Sequence, residues 1–193
     1  MHKDRRIRTG TGGRYMRLRP YIECRDFEYL KNWITDERTH NLWCANLIPY
    51  PLTREGMRSF LEKDAADWGG SAYVATEDDG ETAGFFCYSL DLTANEGFLK
   101  CIVVNDQKRG QGYGKKMLHL ALRYAFTVTG AETVQLNVFE QNATAVHCYE
   151  KIGFKVRTRS ENAFSYRDEM WDRSNLVIER KRYIQYVNII NND

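Results

Sequence analysis

The sequence lacks the features that would place it in a membrane or an export route. No run approaches the roughly 18–20 consecutive apolar residues that a membrane-spanning helix needs. The N-terminus is charged but has no apolar segment behind its charges, which excludes a secretory signal peptide. Only three of the 193 residues are proline, and no segment repeats. We therefore expect a globular cytoplasmic protein without a membrane partner.

Cysteine pairs are also missing. None of the five cysteines forms a Cys-x-x-Cys pair, and their number is odd (Cys24, Cys44, Cys87, Cys101, Cys148). This scatter predicts reduced thiols, as in cytosolic proteins. The four histidines do not complete a metal-ligand spacing with them, so we expect no metal.

Outside the first 14 residues, the numbers of positive and negative side chains nearly balance. The formal net charge is +2, and residues 1–14 alone contribute +4 from five cations and Asp4. Residues 15–193 therefore carry −2. A nucleic-acid surface needs clustered positive charge, so a nucleic-acid partner is not expected. We interpret 1–14, with the glycine-rich stretch 9–13, as a flexible leader or expression remnant, and 15–193 as one domain.

The hydrophobic periodicity predicts a mixed α/β (α+β) domain. Strands are expected at 16–22, 72–76, 82–92, 97–104, 133–138, 154–158 and 176–183. Helices are expected after Asp26 and Thr53, acting as N-caps, and at 112–129 and 143–152. An antiparallel meander would precede a β-α-β-α-β tail. The apolar segment 40–50 could line a groove for the acceptor, but we favour packing in the hydrophobic core.

The most informative local motif is a glycine-rich turn between a buried strand and a helix. Gly110, Gly112 and Gly114 would let backbone N–H groups point inward, next to the positive end of the helix dipole. Such a turn suits a phosphate or pyrophosphate, with cations at its rim from Lys108, Arg109, Lys115 and Lys116. Neither the Walker nor the Rossmann spacing is met. A plain turn with solvated lysines is the competing interpretation.

The segment 142–154 is the second motif. Asn142 occupies an N-cap position, and Ala145, Tyr149 and Ile152 share one helix face. The structural alternative is that Asn142 only caps the helix, Tyr149 only packs, and Gly153 ends the helix.

Together, the two segments resemble the GCN5-related N-acetyltransferase (GNAT) family. Arg109-Gly110-Gln111-Gly112-Tyr113-Gly114 is similar to its acetyl-CoA loop, and 142–154 to its second signature. The resemblance implies a mostly antiparallel central sheet, flanked by helices, in which the strand ending at Val104 splays from the strand at Leu136. It also implies acetyl-CoA as co-substrate and acetyl transfer to a primary amine of a small molecule or a protein N-terminus.

The same resemblance implies roles for individual residues. Backbone groups of Ile102, Val103 and Val104 would hold the pantetheine and polarise the thioester carbonyl. The turn 109–114, with Lys115, would hold the pyrophosphate, and Asn142 would contact the pantetheine arm. Tyr149 would protonate the leaving thiolate, and Glu96 would serve as the base.

Three further expectations stay open at this stage. The segment 164–171 resembles the corresponding connection in the subgroup that acetylates ribosomal-protein N-termini. A homodimer is a candidate assembly. The alternative function is a catalytically silent CoA-binding or interaction module of the same fold.

Overall fold

One seven-stranded sheet organises the molecule. The computed structural model describes residues 15–190, with side chains to residue 185, so the predicted leader 1–14 lies outside the described residues. The strand order is β1-β2-β3-β4-β5-β7-β6. The strands are β1 (Arg17–Pro20), β2 (Ser71–Thr76), β3 (Thr82–Asp91), β4 (Glu96–Val104), β5 (Thr133–Phe139), β6 (Lys155–Tyr166) and β7 (Glu169–Glu179). Only β4 and β5 are parallel neighbours among these strands, which confirms the predicted mixed, mostly antiparallel sheet.

Six α-helices accompany the described sheet: α1 (Glu23–Trp33), α2 (Glu37–Cys44), α3 (Arg54–Trp68), α4 (Tyr113–Tyr124), α5 (Ala143–Ile152) and α6 (Arg180–Ile190). As predicted, Thr53 caps α3, because its side chain accepts the backbone N–H of Gly56. The predicted helix 112–129 is α4 extended by a π-helical turn at Ala125–Thr129. None of the helices in residues 15–190 is long and apolar enough to cross a bilayer.

Helices cover both faces of the sheet. One buried cluster joins α1–α3 to the sheet and includes Phe27, Trp43 and Met57. A second cluster joins α4 and α5 to the other face, through residues such as Met117 and Tyr149. Complete burial of a side chain of this size stabilises the fold by about 1.5–3 kcal/mol. The two helical layers therefore hold the sheet from both sides.

The sequence-based prediction of the first helix start was wrong. Helix α1 begins at Glu23, with Ile22 as N-cap, and Asp26 lies inside the helix. The Asp26 carboxylate is 1% exposed, accepts two hydrogen bonds from Arg19 at 2.6 Å, and accepts the Ile22 backbone N–H at 2.8 Å. Its role is therefore an ion pair that ties α1 to β1.

Three other elements differ from the predictions. Helix α2 was not anticipated, although Asp36 caps it by accepting the Thr39 backbone N–H at 2.8 Å. The strand predicted at 154–158 extends to Tyr166, and the last strand begins at Glu169 and ends at Glu179. Residues 180–183, predicted as strand, begin α6. The segment 164–171 is the tip of the β6–β7 hairpin, in which 164–166 pair with 169–171 across a turn at 167–168.

A β-bulge interrupts β4. Phe85 pairs with Val103 but Cys87 pairs with Lys100, so Cys101 and Ile102 together lie opposite one residue of β3. Cys101 has φ +49°, a left-handed conformation that is uncommon for a side chain of this kind. The bulge also shifts the two-residue alternation. Lys100 contacts α3, and Cys101, the next residue, belongs to the cluster on that same face.

Candidate functional site

A wedge opens between β4 and β5. Their parallel pairing runs from Glu96↔Thr133 to Leu99↔Leu136 and ends there. Beyond that point β4 continues along β3 and β5 continues along β7. The predicted splay between these strands is confirmed. Ile102, Val103 and Val104 lie on the diverging part of β4, where their backbone groups have no β5 partner.

A glycine turn lies at the open end of β4. Gly110 and Gly112 have φ +74° and +83°, a region that glycine adopts without strain. Apart from its chain neighbours, no described residue lies within 4 Å of the position that a Cβ would occupy at either glycine. Gly112 is also the N-cap of α4, so the first backbone N–H groups of a twelve-residue helix face this turn. The turn and the helix dipole together form a cradle for an anion.

The charged side chains around the cradle have different partners. Arg109 donates to the backbone carbonyls of Val104 at 3.2 Å and Trp33 at 3.3 Å, which ties the turn to the ends of β4 and α1. Lys108 donates to Glu77 at 2.6 Å and to Glu81 at 2.9 Å. Its ammonium is thereby neutralised, so the expectation that Lys108 supplies charge at the rim was wrong.

The remaining predicted rim residues stay beside the cradle. Lys115 is exposed in the first turn of α4, and the ammonium of Lys116 lies 5.5 Å from the centre of the Tyr113 ring. The Gln111 side chain donates to the backbone carbonyl of Gln107 at 2.8 Å, which closes the turn on itself. The positive features beside the cradle are therefore backbone N–H groups of the turn and the side chains of Lys115 and Lys116 at the start of α4.

Helix α5 brings the second motif to the same place. Asn142 caps the helix, because its side chain accepts the Ala145 backbone N–H at 3.2 Å. The prediction that Asn142 is an N-cap is confirmed. Its amide group keeps two N–H donors. A Cβ built at Gly114 would lie 3.5 Å from a Val104 methyl and 3.9 Å from the Cys148 sulfur. The start of α4, the open end of β4 and α5 therefore converge.

Tyr149 follows Cys148 on α5 and is 7% exposed. Its ring meets Phe154 edge-on, with centroids 5.9 Å apart. Burial raises the pKa of the phenol above its ordinary value, so the hydroxyl keeps its proton at neutral pH. No hydrogen-bond partner for this hydroxyl occurs among the described residues. Tyr149 is thus a protonated donor with a free hydroxyl.

Glu96 is not brought to this convergence. It lies at the paired end of β4, opposite Thr133, and the wedge opens only after Leu99. Its carboxylate accepts hydrogen bonds from Thr133 at 2.9 Å, Gln135 at 2.6 Å and Arg157 at 2.8 Å. A carboxylate held by three donors at the closed end of the sheet stabilises the β4–β5–β6 contact. Its interpretation as the base has no support in this geometry.

A cavity of about 820 Å³ opens on the α1–α3 face of the wedge. Its floor comes from β4 and β5, including Lys100, Cys101 and Phe139, and its walls come from α2, α3 and the segment between them. Some residues of the segment 40–50 therefore pack in the core, and others line a groove, which are the two roles considered for this segment. His40 and Ile48 are buried, whereas seven residues line the cavity (Leu42, Trp43, Cys44, Ala45, Asn46, Leu47 and Pro49).

Sequence reasoning missed two polar interactions beside this cavity. Lys100 forms an ion pair with Asp64 of α3, and the two side chains are 9% and 6% exposed. The indole N–H of Trp43 donates to the Cys101 carbonyl at 2.7 Å. A lysine within an otherwise apolar strand was the one available signal, because a buried lysine needs a partner.

Comparison with known proteins agrees with the site. A family model, Acetyltransferase (GNAT) family, matches residues 27–154. The peptidyl-lysine N-acetyltransferase YjaB of Salmonella typhimurium is 37% identical over 106 residues, 54% of this chain. This match spans 65% of YjaB, slightly less than two thirds. The spermidine N(1)-acetyltransferase of Escherichia coli K12 is 24% identical over 170 residues, which is 88% of each protein.

A solved structure gives the same fold. The spermidine N-acetyltransferase of Vibrio cholerae in complex with CoA and spermine has a TM-score of 0.75 and 18% identity, over 88% of this chain and 98% of that one. At this identity the likeness shows the fold. The family match covers more than half of the sequence and includes both motifs. The chain belongs to the acetyltransferase (GNAT) family.

Proposed function

We propose that the protein transfers an acetyl group from acetyl-CoA to a primary amine, by direct attack of the amine in a ternary complex. The observation that carries this proposal is the convergence at the open end of β4. An anion cradle and a stretch of strand with backbone groups unpaired toward β5 meet there, and α5, which carries the buried Tyr149, packs beside them. These three features match the three parts of an acyl-CoA: diphosphate, amide-bearing arm and thioester.

The residues fit acetyl-CoA part by part. The turn 109–114 and the start of α4, with Lys115, receive the pyrophosphate. Backbone groups of Ile102, Val103 and Val104 hold the pantetheine and donate to the thioester oxygen as negative charge develops there. The Asn142 amide donates to the pantetheine arm while its oxygen continues to cap α5.

Tyr149 supplies the proton for the departing thiolate. The neutral amine attacks the thioester carbon, and the proton that its nitrogen loses on forming the amide passes through solvent and restores the phenol. A phenol of ordinary pKa about 10 gives its proton to a thiolate whose conjugate thiol has pKa about 8.5, which is unfavourable by roughly 2 kcal/mol. Burial of Tyr149 adds to that cost. The transfer becomes feasible when it accompanies cleavage of the C–S bond, because the favourable collapse of the adduct to the amide then offsets the cost of the proton transfer.

A thermal-shift titration with acetyl-CoA, CoA and ATP tests the cradle. Ligand at 100 times its Kd adds about 2.7 kcal/mol of stability, a shift of several degrees. We expect shifts with both CoA compounds and none with ATP. Absence of any shift with CoA would remove the proposal. Binding without acetyl transfer to any amine in a broad screen would favour the silent module.

A homodimer and a cytoplasmic location complete the proposal. All five cysteines are free in the structure, which suits a reducing compartment. The edge strand β6 leaves most of its residues exposed, so it offers a surface to a second copy. Light scattering coupled to size-exclusion chromatography tests the assembly, and a monomer mass over the working concentration range would contradict it.

A further inference from the structure

We propose that the acceptor carries its amine on an uncharged, aromatic body, and that polycationic amines are poor substrates. This inference rests on the proposed function, since it assigns the cavity beside the wedge to the acceptor. The cavity borders Cys101 at the β4 bulge, so a molecule within it can reach the diverging part of that strand.

The charges around the cavity cancel. Three carboxylates line it (Glu55, Asp64 and Asp67), and three cations line it (Lys63, Lys100 and Arg173). Two of these carboxylates already have ammonium partners. Asp64 is paired with Lys100 at the cavity floor, and Asp67 is paired with Lys63 at 2.8 Å. A polyamine needs several carboxylates that are free to bind ammonium groups, and this cavity offers few.

Lys100 makes the floor unfavourable for a second cation. Its ammonium is nearly buried, is fixed by Asp64, and lies 5.5 Å from the centre of the Phe98 ring. The Asp64 carboxylate is thereby occupied, so an ammonium group of a polyamine finds no free carboxylate at the floor. Burying an ammonium group without a partner is costly, which disfavours a polycation there.

The uncharged part of the lining favours an aromatic ligand. Five aromatic side chains line the cavity (Trp43, Phe60, Trp68, Phe98 and Phe139). Trp68 is 67% exposed, and Leu47, on the opposite wall segment, is 56% exposed. Exposed apolar side chains grouped at a cavity are typical of a ligand site, and aromatic rings stack favourably on one another.

The direct test compares acceptors under the same conditions with saturating acetyl-CoA. The measured quantity is kcat/KM for 2-phenylethylamine, for spermidine, and for a tripeptide with an N-terminal phenylalanine. We expect 2-phenylethylamine to exceed spermidine by at least about 100-fold, in line with the cost of burying ammonium groups that find no free carboxylate. A spermidine value equal to or above that of 2-phenylethylamine would overturn the inference. The peptide distinguishes a free amine from a protein N-terminus as the source of the same chemistry.

A charge variant tests the cause of the selectivity. Lys100→Met leaves the Asp64 carboxylate without its partner, and we expect kcat/KM for spermidine to rise at least about 10-fold relative to that for 2-phenylethylamine. The double variant Asp64→Asn/Lys100→Met removes both charges and restores the wild-type preference. Lys181→Met, which breaks an exposed pair with Glu179 outside the cavity lining, leaves that preference unchanged. No change in Lys100→Met, with its folding verified by melting temperature, would contradict the assigned role of Lys100.

Failure of the inference is distinguishable from failure of the proposed function. If acetyl-CoA does not bind, or if no amine of any class is acetylated, the proposed function fails. If acetyl-CoA binds and polyamines are the preferred acceptors, only the inference fails. Should Lys100→Met not fold, the wild-type comparison of acceptors still decides the matter.

Discussion

The indole N–H of Trp43 donates to the carbonyl of Cys101 at 2.7 Å and so joins α2 to the bulge in β4. Cys101 is the bulge residue with positive φ, and its carbonyl faces α2 rather than β5. The hydrogen bond satisfies a buried carbonyl at the place where the strand leaves its parallel partner. Trp43 therefore supports the backbone that lines the wedge.

Loss of this hydrogen bond is expected to destabilise the fold and slow acetyl transfer. Trp43→Phe keeps an aromatic ring but leaves the Cys101 carbonyl unsatisfied, which costs about 1–3 kcal/mol. Urea unfolding and kcat are the measurements. Trp33→Phe is the matched control, because Trp33 is equally buried and its indole has no hydrogen-bond partner among the described residues. Equal losses in both variants would contradict a role for the hydrogen bond.

Removing the Tyr149 hydroxyl is expected to lower kcat without weakening acetyl-CoA binding. General acid catalysis by a positioned side chain contributes about 10²–10⁴-fold, so Tyr149→Phe should lose at least about 10²-fold in kcat. Tyr73→Phe is the control, because the Tyr73 hydroxyl donates to Tyr124 elsewhere in the structure. An unchanged kcat in Tyr149→Phe would show that another group protonates the thiolate.

Filling the cradle is expected to abolish acetyl-CoA binding. Gly112→Val forces a β-branched residue to φ +83°, and its side chain enters the space that faces the first turn of α4. The backbone strain alone costs about 1–2 kcal/mol. Gly130→Val imposes a similar strain at φ +78°, at the end of the π-helical turn. There too, apart from the chain neighbours, no described residue lies within 4 Å of the new Cβ.

Comparison of the two glycine variants separates strain from binding. Both should lose similar stability in urea unfolding, but only Gly112→Val should lose the stabilisation that acetyl-CoA provides. If both variants keep that stabilisation, the pyrophosphate binds elsewhere. The calorimetric Kd of each variant gives the same comparison independently.

Stability is expected to fall as the pH falls from about 6.5 to about 4. Burial, with a smaller effect from Lys115, lowers the pKa of His119 from 6.5 to about 4. In that pH window the unfolded chain binds a proton that the folded protein excludes, so folding loses on the order of 2 kcal/mol after allowance for residual solvent contact. Below about pH 4 both states are protonated and the effect is complete.

His119→Gln isolates this contribution. The variant should show a flatter loss of stability between pH 6.5 and 4 than the wild type, measured by urea unfolding at each pH. Above about pH 7 the two proteins should have parallel pH profiles, since His119 is neutral in both states there. Identical slopes at low pH would assign the acid sensitivity to other groups.

The glycine turn and α5 could be predicted because their signals are local. Gly112 can be identified because it follows a strand end, and Asn142 because it precedes a helix start. Both residues lie where the sequence predicts them. Glu96 shows the limit of such reasoning. Its position at the start of a strand was correct, but its partners Thr133, Gln135 and Arg157 lie 37–61 residues away. Their distances in space depend on the strand order β4-β5-β7-β6.

The same limit applies to Lys100 and to the end of the chain. Lys100 pairs with Asp64, which lies 36 residues earlier in the sequence, because α3 packs on the sheet. The alternation that predicted a strand up to residue 183 ends at Glu179. Arg180 then donates to the Ala131 carbonyl, at 3.0 Å from its Nε, and the chain turns into α6. The Arg180 backbone N–H still donates to the Glu132 carbonyl at 2.9 Å, so this side-chain contact, between residues 49 apart, lies at the last step of the ladder.

The wedge gives the sheet a third free edge, in its interior. An exposed edge strand is usually a risk, because any extended chain can pair with it and nucleate aggregation. The edge at Ile102–Val104 lies between two helical layers, with the α4 start and α5 on one face and α2 on the other. In the proposed complex, the amide groups of the pantetheine arm pair with this edge as a short added strand would. The cofactor would then complete the sheet at the point where β5 leaves β4.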